Sequence, residues 1–330
     1  MKLSIIVAVY NTSQYLKRCL DSVFNQTMDD SDYEVIIVND KSTDNSLDII
    51  NECIKGHDNV RVLDKPVNEA TFWSRVDGIK MAKGDYIGFV DSDDWCELNM
   101  YEYMVNKAIE TDADIVECGT IYEYPDGVPR HVYERTEKMT TGAQMIYEYS
   151  QHPIQLALYL RLFKRQIMDK FMREMYPDFN AEREKYRGIR NEDDLLLPIF
   201  FSNADKFLSV EPCFCHHSME ISGSTMDEIR KNPKKYLDSW IFRVNAGFDV
   251  LKYTTDKPEV YKNLVHKQIN VIFGLMGKFL ETDFYTKEEA SRIMKDAVRR
   301  LRKVKTLLPI KDEVRFLHLW LKTAYLYGIK

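Results

Sequence analysis

The first roughly ninety residues alternate between short, β-branched apolar runs and amphipathic segments with helical spacing. The apolar runs, which have the composition of strands buried on both faces, cover residues 3–10, 33–38, 60–63 and 86–90. The helical segments lie between them, at about residues 14–25, 42–54 and 70–81. Strands joined in turn by helices pair in parallel through crossover connections. The alternation therefore predicts an α/β domain built on a mostly parallel sheet flanked by helices.

The fourth apolar run ends in three carboxylates within four residues, Asp91, Asp93 and Asp94. Open parallel sheets place their ligand crevice beyond the carboxyl ends of the strands. Carboxylates held there need a partner, because an unpaired charge out of water is strongly unfavourable. A divalent cation carrying a phosphate ligand would supply one, and oxygen ligands suit Mg²⁺ or Mn²⁺. The alternative is a solvated acidic turn that caps the following helix, since a lone Asp-x-Asp is a short pattern.

Composition limits the remaining possibilities. A chain of 330 residues suggests about two domains. Its 45% hydrophobic and 30% charged residues are typical of a soluble protein, and its net charge of −6 argues against a nucleic-acid partner. Six cysteines are too few for a disulfide scaffold in a chain of this length, which favours reduced thiols and a cytoplasmic location. No apolar run is long enough to span a membrane.

Two common phosphate-binding motifs are missing. The chain contains neither the glycine-rich G-x-G-x-x-G fingerprint of dinucleotide binding nor the G-x-x-x-x-G-K-[ST] loop of P-loop enzymes. This argues against a dinucleotide oxidoreductase and a P-loop NTPase. A bound phosphate would have to be held in another way, and a metal ion on carboxylates is the one that the sequence offers.

Four sequence blocks occur in the order and spacing of the family 2 glycosyltransferases. They are VAVYN at residues 7–11, VNDKSTD at 38–44, RVDGI and AKGDYI within 75–87, and DSDD at 91–94. The chain thus resembles a family of inverting enzymes with the GT-A fold, which use nucleotide-diphosphate sugars, and in particular the type that builds bacterial polysaccharides. The resemblance is close over residues 1 to about 120 and weaker over 185–225.

The resemblance implies a domain organisation. Residues 1–225 would form the GT-A catalytic domain, with a nucleotide-sugar half at 1–120 and an acceptor half at 120–225. Within the acceptor half, residues 158–171 mix aromatic and basic side chains. They fit an acceptor-side segment and an amphipathic structural helix equally well. Residues 226–330 would form a helical C-terminal extension.

The resemblance also implies donor-site residues. The end of the first strand would line the base and ribose pocket, Asp40 would contact the nucleobase, and Arg75 would read the base or offset phosphate charge. The alternatives are a turn residue for Asp40, capping the next helix, and a surface helix residue for Arg75. The residues implied in donor nucleotide binding are Val9, Tyr10, Asn11, Asp40, Arg75, Asp91 and Ser92. A UDP-sugar is the favoured donor.

The implied metal is Mn²⁺ or Mg²⁺, with Asp93 as its main ligand and Asp91 and His217 as further candidates. A structural or phosphate-side histidine is equally compatible with the position of His217. The chain departs from the family pattern at two places. Asn39 stands where the family has an aspartate before Asp40, and the segment Val76-Asp77-Gly78 places a carboxylate where the family often has an amide.

A second acidic block, NEDDLL at residues 191–196, resembles the Glu-Asp pair that begins a helix in this family. The resemblance implies Asp193 as the catalytic base, with Glu192 orienting it and Asp194 as the substitute candidate. A helix N-terminus stabilises the carboxylate anion, and inverting transfer needs one base for the acceptor hydroxyl. All three residues could instead merely cap the helix. Residues 222–225 resemble the loop that closes over the donor diphosphate.

The sequence from Tyr236 onward is helical throughout, with a predicted last helix over residues 314–327. A basic segment within 286–305 carries Arg292, Lys295, Arg299 and Arg300. It suits an anionic membrane surface, such as the inner membrane face, or a partner helix, and equally a solvated helix face. The predicted partners are a saccharide or lipid-linked acceptor and a second copy of the chain.

Two other classes of function share parts of this sequence pattern. A sugar nucleotidyltransferase would share the sheet and the metal, but it should have a glycine-rich, basic loop after the first strand. The sequence there is Val9-Tyr10-Asn11-Thr12, which does not match such a loop. A non-catalytic nucleotide-binding or scaffold protein would keep the strand ends and need no base.

Overall fold

The computed structural model describes residues 1–124, 126, 128, 131–151, 157–187, 192–219, 231–282, 284–303 and 318. The chain divides into two compact units. The first comprises Met1–Gly142, Ala157–Glu192 and Asn203–Ile221, and the second comprises Ala143–Leu156, Asp193–Ser202 and Ser222–Lys330. The predicted catalytic and C-terminal domains, with their boundary at residue 225, are functional divisions and stay predictions.

The first unit contains a ten-stranded sheet within the described residues. Its strands are β1 Leu3–Val9, β2 Tyr33–Asn39, β3 Val60–Asp64, β4 Tyr86–Asp91, β5 Trp95–Cys96, β6 Ile115–Glu123, β7 His131–Tyr133, β8 Lys138–Thr140, β9 Arg161–Lys164 and β10 Phe207–Ser218. Its helices are α1 Ser13–Phe24, α2 Ser46–Cys53, α3 Thr71–Met81, α4 Met100–Thr111, α6 Arg165–Glu174 and α7 Tyr176–Ala181. Short 3₁₀ turns lie at Leu158–Leu160 and Arg183–Tyr186.

The strand order is β3-β2-β1-β4-β9-β6-β10-β5, with β7 paired to β6 and β8 paired to β10. The four strands predicted from the sequence form the parallel half, because β1 pairs in parallel with β2 and β4, and β2 pairs in parallel with β3. The residues of β1, β2 and β4 are almost all buried, as their apolar runs require, whereas β3 lies at the edge of the strand order and is only partly buried. The predicted fold class, a mostly parallel sheet flanked by helices with a helical C-terminal part, is confirmed.

The sequence did not predict β9, which lies antiparallel between β4 and β6. Residues 158–171 are neither one helix nor a uniform segment, since they form a 3₁₀ turn, β9 and the start of α6. The first residue of β9, Arg161, is fully buried and forms an ion pair with the equally buried Glu117 of β6. Arg135 joins the same carboxylate at 2.6 Å. A basic residue therefore lies inside the sheet because its counter-charge lies there too.

The second unit is helical in its described part. Its helices are α5 Gly142–Gln151, which begins at the end of the first unit, α8 Asp193–Ser202, α9 Pro233–Lys252, α10 Pro258–Glu281 and α11 Lys287–Lys303. None of the described helices is both long and apolar enough to cross a membrane. The helix predicted over residues 314–327 lies outside the described residues apart from residue 318.

We expect Gly88→Ala to destabilise the protein by about 1–3 kcal/mol, as overpacked core positions do. A Cβ on this strand residue would overlap the ring of Tyr101 and lie 2.8 Å from its hydroxyl oxygen. Tyr101 is fully buried, and its hydroxyl donates to the carbonyl of Phe89 at 3.2 Å, so the ring has little freedom to move. Urea-induced unfolding of the variant and the wild type measures the difference.

Gly277→Ala is the matched comparison, because a Cβ at this position in α10 meets no atom within 4 Å. That change should raise stability by about 0.5–1 kcal/mol, the usual helix preference for alanine over glycine. Equal stability of Gly88→Ala and the wild type would mean that Tyr101 repacks freely.

Candidate active site

Three non-glycine residues with a positive φ lie at or beyond the carboxyl ends of β1, β2 and β3. They are Asn11 at 52°, Lys41 at 62° and Ala70 at 68°. L-residues rarely adopt this conformation, and such strain concentrates at functional sites. The side chain of Asn11 stabilises it locally, since its Oδ1 accepts from the Thr43 N–H at 2.7 Å and its Nδ2 donates to Thr43 Oγ1 at 3.1 Å. The loops that follow β1 and β2 are thereby tied together.

The residues predicted to line the base and ribose pocket lie at this edge of the sheet. Val9 is the buried last residue of β1, whereas the side chain of Tyr10 is 43% exposed and Asn11 is exposed. Ser92 is buried, and its Oγ accepts a hydrogen bond from the Thr12 hydroxyl at 2.9 Å. The structure brings these residues together, and their contacts with a nucleotide stay predictions.

Asp40 is buried and binds the loop that leads into α3. Its carboxylate accepts from the N–H of Glu69 at 3.0 Å and of Ala70 at 2.7 Å, and it lies 2.8 Å from Lys65 Nζ. Asp40 thus holds Ala70 in its left-handed conformation and does not cap the helix next to it in sequence. The predicted contact with a nucleobase remains a prediction. Lys65 was not predicted, because a lysine at the end of a strand carries no local signal of burial.

Arg75 is buried between two carboxylates, so the alternative of a surface helix residue is wrong. Its Nη2 lies 2.5 Å from Asp91 Oδ1, and its Nη1 lies 2.6 Å from Glu192 Oε1. Arg75 and Glu192 are each about 4% exposed in their side chains. One guanidinium therefore joins the end of β4 to the residue that directly precedes the predicted base in sequence.

A second chain of charges extends from Asp40. Arg183 donates to both carboxylate oxygens of Glu69 at 2.6 Å, and its guanidinium lies over the Trp73 ring at 4.0 Å. The Arg183 hydrogen bond lowers the pKa of Glu69 to about 2. Asp77, the carboxylate that departs from the family pattern, lies 3.5 Å from Arg183 and 3.9 Å from Lys65. Lys80 lies 4.0 Å from Asp77 as well, so this negative charge has at least three cations nearby. Sequence reasoning missed both Glu69 and Arg183.

Among the residues that the structure describes, no arginine pairs with the other two carboxylates after β4. Burial, together with the charges of Asp94 and Asp91, raises the pKa of Asp93 to about 7. Asp94 is buried, and its oxygens lie 2.8 Å from His217 Nδ1 and accept from the Ser218 N–H at 2.9 Å. Burial alone would lower the pKa of His217, but the neighbouring carboxylates, led by Asp94, raise it to about 9. Burial also raises the pKa of Asp94, and its contacts with His217 and the Ser218 N–H oppose that rise.

The donor set fits a divalent cation by its chemistry. A carboxyl that keeps its proton up to a pKa of about 7 because of burial and neighbouring negative charge would be stabilised as an anion by a cation. Asp93 and Asp91 are the residues that would hold it. Among the described residues, no group of three or more His, Cys, Asp or Glu side chains is arranged as a metal site. His217 contacts Asp94 in this structure.

The second acidic block begins α8. Asp193 is the first residue of this helix and is partly exposed, so the helix N-terminus favours its anionic form. Asp194 has other partners, because its carboxylate lies 2.8 Å from Arg243 Nε and 3.4 Å from the Tyr149 hydroxyl. Asp193 thus remains the predicted base, with Glu192 beside it in sequence. The predicted diphosphate loop at residues 222–225 lies outside the described residues.

The fold and the acidic edge define a nucleotide-sugar transferase type of α/β protein, and comparisons with known proteins identify the family. The profile of Glycosyl transferase family 2 matches residues 4–172, about half of the chain. The chain belongs to this family. The sequence-based prediction of a family 2 glycosyltransferase is therefore confirmed.

Relatives and solved structures agree with this assignment. The chain is 30% identical over 247 residues to poly(ribitol-phosphate) beta-glucosyltransferase of Bacillus spizizenii, which covers 70% of this chain and 38% of the relative. It is 38% identical over 124 residues to glycosyltransferase GlyG of Streptococcus pneumoniae, which covers 38% of this chain and 40% of that protein. The chain thus spans well under half of the length of these relatives.

Among solved structures, the fold is similar to the fragment 1–349 of S. aureus TarS in complex with UDP-GlcNAc. The TM-score is 0.71 at 18% identity, and the match covers 99% of this chain and 89% of that one. At this level of identity the similarity shows the fold.

We expect the stability lost in His217→Asn to depend on pH. The folded-state pKa of His217, about 9, lies above its ordinary value of 6.5, so folding favours the protonated ring. The ion pair should therefore contribute fully below pH 6.5 and lose its contribution as the pH rises through about 9. Below pH 6.5 the variant should be about 1.5–3 kcal/mol less stable, as for other hydrogen bonds to charged groups.

Urea-induced unfolding of the wild type and of His217→Asn across this pH range measures the difference. Asp94→Asn serves as the control, because it removes the partner and should abolish the same pH dependence. Parallel stability profiles for the wild type and His217→Asn would contradict the ion pair.

Proposed function

We propose that the chain transfers a sugar from a nucleotide-diphosphate sugar to a hydroxyl of a cell-surface polymer, with inversion at the anomeric carbon. The observation that carries the proposal is the acidic edge after β4. There Arg75 joins Asp91 to Glu192, and His217 is paired with Asp94. Family membership supports the reaction class.

The charge balance of this edge supports a metal-bound donor. Among the described residues, four carboxylates, those of Asp91, Asp93, Asp94 and Glu192, face two cationic side chains, Arg75 and His217. With all four ionised, the excess is two negative charges, which is the charge that one divalent cation neutralises. Mn²⁺ or Mg²⁺ held by Asp93 and Asp91 would, when bound, offset the charge on the leaving nucleotide diphosphate. A UDP-sugar is our favoured donor, because the similar TarS fragment was solved with UDP-GlcNAc.

We assign the acceptor to the phosphodiester-linked polyol polymers of the bacterial surface. The support is the relative named poly(ribitol-phosphate) beta-glucosyltransferase, whose similarity extends over 70% of this chain. Asp193 takes the proton of the attacking hydroxyl, and Glu192, held by Arg75, orients that base. The bond from the acceptor oxygen to the anomeric carbon forms as the bond to the diphosphate breaks, which inverts this centre.

The proposal includes a cytoplasmic location at the inner membrane face, as the sequence predicts. The basic residues of α11 support it, since such a helix face suits anionic lipid. Arg299 is one of them and pairs with Asp296 on the same helix at 3.3 Å. The predicted second copy of the chain also remains a proposal.

A nucleotide titration tests the donor assignment. We expect UDP to raise the melting temperature only when Mn²⁺ is present, while GDP, dTDP and CMP have a smaller effect. Asp93→Asn should lose the metal-dependent shift, because it removes the carboxylate assigned to the metal. Asp85→Asn is the matched control, since Asp85 is an exposed residue just before the same strand. A shift of equal size in Asp93→Asn and the wild type would contradict the metal assignment.

A base variant tests the catalytic assignment. Asp193→Asn should leave UDP binding intact and lower the rate of sugar transfer by about 10²–10⁴-fold, the usual contribution of general-base assistance. Initial rates with a polyol-phosphate acceptor measure the loss, and NMR of the product gives the anomeric configuration. Normal nucleotide binding with no transfer by the wild type to any acceptor would instead favour a nucleotide-binding scaffold.

A further inference from the structure

The helical unit contains a pocket whose lining includes none of the residues assigned to the donor. Its cavity volume is about 20 Å³, and the empty space reaches about 360 Å³ only when the open solvent at its mouth is counted. All of its lining residues belong to the second unit. They are Tyr149, Asp194, Pro198, Arg243, Gly247, Val250, Leu264, Lys267, Gln268 and Val271. These residues come from α8, α9, α10 and the end of α5, so four helices surround the pocket.

The charged lining of this pocket is unbalanced. Arg243 and Lys267 are cations, whereas Asp194 is the one carboxylate among the lining residues described. Arg243 Nε pairs with Asp194 at 2.8 Å, which uses the whole negative charge of the pocket. Lys267 then remains as an excess positive charge.

Lys267 has no hydrogen-bond acceptor among the residues that the structure describes. Its ammonium lies 4.2 Å from the centre of the Tyr149 ring. Burial lowers the pKa of Lys267, and Arg243 lowers it further, while Asp194 opposes both. A partly buried ammonium with unused donors is unfavourable until an anion accepts from it. The hydroxyl of Tyr149 donates its one proton to Asp194 at 3.4 Å, so the unused charged donors of the lining belong to Lys267 and Arg243.

The shape of the cationic group indicates the kind of anion. Arginine presents a planar fork of donors and lysine a compact point charge, and both are common partners of phosphate oxygens. The remaining lining residues are uncharged, so nothing else in it repels an anion. Asp194 is one of the lining residues, and it directly follows the predicted base Asp193 in sequence.

We propose that Lys267 and Arg243 form a subsite for one phosphate group of the acceptor polymer. The inference rests on the proposed function for the identity of the acceptor. Lys267 donates to the phosphate oxygens, and Arg243 contributes the donors that its pair with Asp194 does not use. The same chemistry would accept inorganic phosphate, so the test separates a phosphodiester chain from the free anion.

Calorimetric titration measures binding without any sugar transfer. The probes are a synthetic glycerol-phosphate hexamer, inorganic phosphate, and a neutral polyol of the same length, all at one ionic strength. Lys267→Gln should weaken binding of the hexamer by about tenfold or more, since a charge-assisted hydrogen bond is lost. Lys267→Arg should retain most of the affinity.

Lys262→Gln is the matched control. Lys262 lies on the same helix, is 40% exposed and pairs with Glu259 at 3.5 Å, so its loss should leave hexamer binding unchanged. Binding of UDP with Mn²⁺ reports correct folding of each variant. If Lys267→Gln does not fold, Lys267→Met takes its place, because it keeps the length of the side chain without the charge.

Initial rates give a second readout, which a merely structural lysine would not change selectively. Lys267→Gln should raise KM for a polyol-phosphate acceptor by about tenfold and leave kcat and UDP affinity unchanged. Equal hexamer affinity in Lys267→Gln and the wild type would overturn the subsite. Binding of inorganic phosphate without the hexamer would overturn its assignment to the acceptor. Failure of the proposed donor would appear separately, as a wild type that binds the hexamer but not UDP.

Discussion

Buried negative charge is the constraint on which the acidic edge of the sheet depends. A carboxylate removed from water must be paired, protonated or bound to a cation. The three aspartates after β4 meet this condition in different ways. Arg75 pairs with Asp91, and His217 pairs with Asp94, whereas Asp93 keeps its proton until its raised pKa of about 7. Asp93, which has no ion pair among the described residues, is the main residue assigned to the metal.

The same requirement organises the backbone around this edge. Asp40 accepts from two consecutive N–H groups and holds Ala70 in a conformation that an alanine rarely adopts. Lys65 forms an ion pair with Asp40 and also lies 3.2 Å from Glu69. Glu69 in turn forms an ion pair with Arg183. Substituting one of these four charged residues would leave its partner as an unpaired buried charge. That should cost more stability than replacing all four by apolar residues. The alternating charges therefore fix the loop between β3 and α3 as one structure.

A structural feature can be predicted from this sequence when the residues that form it are close together along the chain. The parallel strands and the aspartates of residues 91–94 are local patterns, and so they are predictable. Strand β9 is not, because Arg161 resembles a surface residue until Glu117, 44 residues away in sequence, is placed beside it. Arg183 meets Glu69 across 114 residues, which no local spacing reveals. Arg75 and Asp193 were proposed only through the family resemblance.

The acidic edge after β4 has an excess of negative charge, whereas the pocket of the helical unit has an excess of positive charge. This difference indicates which substrate each site would bind. Arg75 is already engaged by Asp91 and Glu192, so it has little positive charge left for a diphosphate. An anionic donor at this acidic edge therefore depends on a cation that arrives with it. In the pocket of the helical unit the excess is positive, because Asp194 pairs with Arg243 and Lys267 has no ion pair of its own among the described residues. An anionic group can bind there without a metal, and this is the difference expected between a diphosphate donor and a phosphodiester acceptor.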